Sequence, residues 1–167
     1  NGIAKEFPFN GNNEGIFSYL RQQNNNKIEN EIDVTSSSSR SKYGKSNLPV
    51  NVCNGSKEGF ESSDIPNSSI TFNFKRHKII LTDYTFKNMS SYSKKFPKSW
   101  VIEGSTDFNT WEVLDERNNC SEFNIRMAVN GNVTQEFQYI RMRLTDVNWC
   151  NNNTLALESI EFYGTLI

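Results

Sequence analysis

The chain has 167 residues, 35% hydrophobic and 22% charged, with 18 Lys and Arg against 19 Asp and Glu and a single His. One imidazole excludes any site built on two, such as a zinc helix of the H-E-x-x-H kind, and the near-neutral balance excludes affinity resting on phosphate neutralisation, so no nucleic-acid partner is expected. No apolar run approaches the ~20 residues of a membrane span, and a domain of this size buries roughly 68–70% of its unfolded surface, enough for one core without metals or disulfides.

Residues 1–13 carry Pro8, Gly2, Gly11 and four Asn, and read as a lead-in segment docking through Phe7 and Phe9. Over residues 14–21, Ile16, Phe17 and Leu20 fall at i, i+1 and i+4, which predicts one short amphipathic helix. Residues 22–30 are a polar loop, 32–34 the start of a strand, and the Ser-rich stretch 35–45 an exposed low-complexity loop. From residue 69 the chain becomes a series of short β segments. Ile70, Phe72 and Phe74 alternate with polar residues, the period of a strand with one buried face. Further strands are predicted over 79–86, 99–105, 110–114, 123–129, 137–144 and 156–163, with Asn130-Gly131 as a hairpin-type turn. In 137–144, Ile140, Met142 and Leu144 point one way and Tyr139, Arg141 and Arg143 the other. Strands at this spacing with no second long helix predict an all-β antiparallel sandwich or barrel with a short N-terminal helix.

Cys53, Cys120 and Cys150 are an odd number without CxxC spacing, which reads as reduced thiols in an intracellular domain; a cytoplasmic or cytoskeletal place is expected, an extracellular one is not excluded, and a Cys120–Cys150 pairing stays open. With 24 Asn and 19 Ser in the chain, N-x-S/T sequons such as those at Asn54, Asn67, Asn88, Asn132 and Asn152 are expected by chance.

The run Phe96-Pro97-Lys98-Ser99-Trp100-Val101-Ile102-Glu103-Gly104-Ser105, followed by Asp107, Trp111 and Leu114, resembles a segment of discoidin domains (coagulation factor 5/8 type C, galactose-binding-like). Tyr139-Ile140-Arg141-Met142-Arg143, Asn148-Trp149-Cys150-Asn151-Asn152 and Leu155-Ala156-Leu157-Glu158-Ser159-Ile160-Glu161-Phe162-Tyr163-Gly164 are similar to that family's ending. The Asn-rich character and the preceding Gly15 to Leu20 resemble members from unicellular eukaryotes that often follow a BTB-type domain. The resemblance implies a non-catalytic jelly-roll β-sandwich over residues 31–167, preceded by a lead-in segment with a short helix over 1–30, with ligand loops gathered at one end. Cys53-Asn54-Gly55 stands where many members have the acidic residues of a calcium loop, which disfavours calcium; no cofactor is expected.

Those loops are 40–45, 56–64, 88–96 and 146–153. The candidate ligand-binding residues are Arg40, Tyr43, Tyr92, Lys94, Phe96, Trp149, Asn151 and Asn152. Trp149 and Tyr92 supply apolar plates for a sugar ring or a partner side chain, with the Asn151 and Asn152 amides at the edge. Arg141 and Arg143 mark a second, outward surface. Catalytic constellations are weak: Ser39 or Ser91 with His77 meets no third group by spacing, and Asp115 and Glu116 point to opposite sides of a strand. The leading expectation is a protein-interaction module anchored in a larger intracellular assembly, with a carbohydrate-binding module as the alternative and an enzyme as a remote third.

Overall fold

The computed structural model describes residues 3–12, 14–90 and 94–167. Strands β1 (Lys5–Phe7), β11 (Ser159–Leu166), β5 (Ile79–Lys87) and β8 (Met127–Ala128) form one sheet in that order. Strands β2 (Asp33–Ser36), β4 (Ser69–Asn73), β9 (Tyr139–Leu144), β6 (Trp100–Ser105) and β7 (Glu112–Arg117) form a second, and β3 (Phe60–Glu61) with β10 (Ala156–Leu157) a two-stranded ribbon. All pairings are antiparallel. The all-β antiparallel sandwich is thus the observed architecture, and the two inner faces meet in a core of Ile70, Phe72, Ile140, Met142, Trp100 and Ile102 from one sheet and Leu81, Phe86, Ile160 and Phe162 from the other.

Part of the segment before β2 is built into this core. Helix α1 (Ile16–Gln23) buries Ile16, Phe17 and Leu20, and the Phe17 ring lies 5.2 Å from Phe72 and 4.9 Å from Phe162. Gly15 offers no side-chain cap. The carboxylate of Glu161 on β11 does that work instead, accepting from Phe17 N at 2.8 Å and from Ser18 N and Oγ at 3.1 and 2.9 Å. A negative charge there satisfies orphan helix N–H groups and faces the positive end of the dipole. Gly15 itself is required by proximity, since a Cβ would stand 2.4 Å from the Phe162 carbonyl oxygen. The lead-in docks as expected through Phe7 against Tyr19 and Phe9 against Tyr163, and also adds a strand, with Lys5 opposite Leu166.

Strand β5 changes phase midway. Ile79 and Leu81 face inward, then Tyr84 and Phe86, because the ladder with β11 slips one residue between Tyr163 and Gly164. Such a bulge needs glycine: Gly164 has φ +141 and a Cβ would meet the Ile80 carbonyl oxygen. The strand expected over 123–129 shortens to Met127–Ala128, since Asn124 adopts φ +57 and breaks the extended run.

Between the sheets, Tyr84 from β5 meets Trp100 from β6 and the fully buried Asp115 from β7. Trp100 Nε1 donates to the Tyr84 oxygen at 2.8 Å, and Asp115 also accepts from Arg117 and Asn130 N. Asp115 is therefore a structural carboxylate, and Glu116 beside it is exposed.

Candidate functional site

Strand directions place five loops, 37–48, 56–68, 88–99, 118–126 and 145–158, at one pole of the sandwich. Hydrogen bonds stitch them together. Arg40 N donates to Glu61 O at 3.2 Å, Trp149 N to Phe96 O at 3.0 Å, and Asn153 N to the Asp64 carboxylate at 2.6 Å. The side chain of Asn47 holds the first two loops in register, donating to Arg40 O and Glu61 O while accepting from Glu61 N.

Trp149 is 46% exposed, yet fixed at both its backbone N–H and its indole N–H, which donates to Cys120 O at 2.8 Å. Lys98 Nζ stands 5.5 Å from the ring centroid. The turn that presents Trp149 is built on Asn148, wholly buried, whose amide donates to Asn152 Oδ1 and Thr154 O while its oxygen accepts from Cys150 N and Asn152 N. A rigid, half-exposed aromatic face on such a turn is a preorganised contact for a flat apolar surface.

The second feature is electrostatic. Arg40, Lys42 and Lys95 converge on the single carboxylate of Glu61 at 3.4, 3.7 and 3.5 Å. The side chains of Lys42 and Lys95 are only 13% and 15% exposed, so this is a half-sheltered cluster and not a solvated fringe.

Of the residues expected to bind, Arg40, Phe96 and Trp149 share this pole, Arg40 in the Glu61 cluster and Phe96 packed edge-on against Phe123 at 5.3 Å. Lys94 is exposed beside Lys95, and Tyr43 stands at a loop tip, 98% exposed with φ +51. Asn151 is exposed; the Asn152 side-chain oxygen is spent inside the turn, accepting from Asn148 Nδ2 and Thr154 N. Tyr92 and Ser91 lie outside the described residues. Sequence reasoning missed Glu61, Lys42, Lys95 and Lys98; the available signal was the crowding of Lys and Arg into the 37–48 and 94–98 stretches.

Beside the pole, on the outer face of the four-stranded sheet, lies a hollow of about 470 Å³ between Arg21, the 55–57 loop, Lys87 and Glu158, with Thr85 and Glu161 on its floor. Four of its charged groups are engaged internally: Arg21 donates to Cys53 O and Ser18 Oγ, Glu161 caps α1, and Lys87 pairs with Glu158 at 3.1 Å. It presents no exposed aromatic face. Arg141 and Arg143 do point outward, but both bind the buried Glu103, and the Arg141 guanidinium lies 3.8 Å from the Trp111 ring centroid, so this face is an internally paired network.

His77 Nε2 donates to Glu31 Oε2, 2.8 Å away, from the turn between β4 and β5 at the opposite pole from Ser39. All three cysteines are free thiols. Among the described residues no three His, Cys, Asp or Glu side chains converge as a metal cluster would, and no helix is long and apolar enough to cross a membrane.

No protein-family model matches the chain, and no curated protein matches it. The likeness is to solved β-sandwich structures. The C-terminal domain of a chitobiase from Bacteroides fragilis superposes with a TM-score of 0.66 at 16% identity, covering 82% of this chain and 95% of its own. A family 32 CBM from C. perfringens NanJ in complex with galactose gives 0.62 at 11%, covering 83% and 96%, and chitosan-binding module 1 of a Paenibacillus sp. IK-5 chitosanase/glucanase gives 0.63 at 16%, covering 80% and 96%. At these identities the likeness establishes the fold: a discoidin-type, galactose-binding-like β-sandwich. It also overturns the leading functional expectation. Solved structures that share this fold include carbohydrate-binding modules, and the reading as a protein-interaction module in an intracellular or cytoskeletal assembly, which rested on the family resemblance and the unpaired cysteines, is withdrawn.

Proposed function

We propose that this chain is a non-catalytic carbohydrate-binding module whose sugar ring lies on the indole of Trp149. The observation that carries the reading is that Trp149 is both 46% exposed and immobilised by bonds from its two N–H groups. A large aromatic held open to solvent at the cost of its own burial makes physical sense if a ligand covers it, since pyranose rings offer an apolar face of C–H groups and a polar rim. Exposed side chains of the turn, Asn151 among them, can serve that rim. Support comes also from what the structures of this fold bind, galactose in one and fucose in another; their sugars differ, so they favour the class and leave the individual sugar to experiment.

The test is a glycan array on the full chain, followed by titration with Trp149→Ala. Loss of one stacking face worth about 0.5–1.5 kcal/mol, together with its burial, predicts an affinity drop of roughly tenfold or more in a protein that still unfolds in one cooperative thermal transition. A folded Trp149→Ala protein with undiminished sugar affinity overturns this placement of the ligand.

A further inference from the structure

We infer that the saccharide recognised at this pole is anionic, its negative group taken up by the cluster of Arg40, Lys42 and Lys95 around Glu61. The inference rests on the sugar-binding reading above and narrows the class of ligand.

The chain as a whole carries a net charge of -1. Its charges are unevenly placed. The stretches 37–48, 56–64 and 94–99 hold seven Lys and Arg, namely 40, 42, 45, 57, 94, 95 and 98, against Glu58, Glu61 and Asp64. Counting Arg126, Glu122, Asp146 and Glu158 from the neighbouring loops of the pole still leaves the positive residues ahead, eight to six. At the centre the imbalance is sharper: three cationic side chains share one carboxylate, and two of the three are lysines with little exposure. Their other described partner is neutral, Lys42 Nζ reaching the Glu58 carbonyl at 3.4 Å. Sheltered positive charges without matching counter-charges are costly to hold together. An incoming carboxylate or sulfate removes that cost and gains charge-assisted hydrogen bonds from ammonium and guanidinium groups.

The cluster is also tied to the aromatic plate. Lys95 precedes Phe96, whose carbonyl accepts the Trp149 N–H, and Lys98 stands over the indole itself. A ring face and an anion-accepting group are thus offered by directly bonded loops, the combination a uronic or sialic acid residue requires and a neutral hexose does not. Nucleic acid is disfavoured because the imbalance is local and the remaining surface is net acidic.

The experiment compares matched pairs on the full chain: oligogalacturonate against a galacto-oligosaccharide of equal length, and sialyllactose against lactose. The expected result is a preference of about tenfold for the acidic member of at least one pair. That preference is expected to shrink between 0.05 and 1 M NaCl, as the screening length falls to about 3 Å. The double variant Lys42→Gln/Lys95→Gln, checked for folding by its thermal transition, is expected to lose the preference. Glu61→Gln, which removes the competing carboxylate, is expected to raise acidic affinity, whereas a merely structural hub would lower it or leave it alone. Equal or better binding of the neutral members overturns the inference and leaves the sugar-binding function standing. Failure to bind any saccharide on the array overturns both.

Discussion

The hydroxyl of Tyr84 donates to Oδ2 of Asp115 at 2.5 Å, a buried bond that joins the four-stranded sheet to the five-stranded one. Burial, with the Asp115 charge beside it, pushes the phenol well above its ordinary range, so it remains a donor at every workable pH. Because the same oxygen accepts the Trp100 indole N–H, one atom satisfies two buried partners.

Replacing Tyr84 with Phe keeps the ring and strips both partners at once. The orphaned indole N–H costs about 1–3 kcal/mol and the lost bond to Asp115, which keeps its bonds from Arg117 and Asn130 N, about 1 kcal/mol more, so Tyr84→Phe is expected to destabilise by roughly 2–4 kcal/mol. For a chain this long that is a fall in Tm of about 5–15 °C by calorimetry. A change under ~0.5 kcal/mol, the range of an ordinary surface substitution, would show that the network carries no weight.

Gly164→Ala places a methyl group against the Ile80 carbonyl in a backbone conformation that L residues rarely adopt. The bulge must open or the β5–β11 ladder must re-register. An expected loss of about 3 kcal/mol or more follows, read by urea unfolding, with amide exchange quickening first along β11. Native-like exchange along β11 would mean the bulge is more pliable than its geometry implies.

Two buried carboxylates bend the pH profile in opposite senses. At Glu103, burial raises the pKa but bonds from Arg143 and Arg141 outweigh it and hold the group below its ordinary 4.5; its stabilisation is complete above that value and fades as pH falls through the lower folded value. At Glu161, burial raises the pKa and wins over the Phe17, Phe162 and Ser18 bonds, so its favourable contribution is complete below 4.5 and fades as pH rises through the higher folded value. Urea unfolding between pH 3 and 8 checks both. Glu103→Gln is expected to flatten the acid limb, and the stability of wild type relative to Glu161→Gln to improve as pH is lowered from neutral. Differences that stay constant with pH would refute both assignments.

Asn148 is wholly buried, yet it shapes the turn that presents Trp149. Asn148→Ala removes four hydrogen bonds of a buried amide. It is expected to cost about 1–3 kcal/mol of stability and, through a loosened indole, to weaken sugar binding mainly by a faster off-rate in surface plasmon resonance. Unchanged off-rates would separate the turn from recognition.

How far these features could be read in advance depends on how locally they are encoded. The alternation in β9 was legible because Ile140, Met142 and Leu144 are all buried while Tyr139, Arg141 and Arg143 are not. The phase slip in β5 was hidden, since it is caused by Gly164, eighty positions away in sequence and across the ladder. β1 has three residues and no pattern; pairing with β11 alone makes it a strand. At the candidate site, the loops and the prominence of Trp149 could be inferred from the family resemblance. The Glu61 cluster could not, because it joins residues 40, 42, 61 and 95 by tertiary geometry, and no spacing rule connects a lone carboxylate in one loop to lysines in two others. The strand expected over 123–129 failed for the complementary reason: its apolar residues are real, but a left-handed Asn124 interrupts them.

The pairing of Lys5 with Leu166 sets both ends of the described chain side by side, at the pole away from Trp149. Anything attached at either end therefore leaves in the same direction, with the length of the sandwich between it and the loops. A tag or surface linker at residue 167 will hold the molecule with Trp149 facing outward, so immobilised protein should titrate like free protein. The same adjacency makes the two ends a natural place to splice the chain into a ring and reopen it elsewhere.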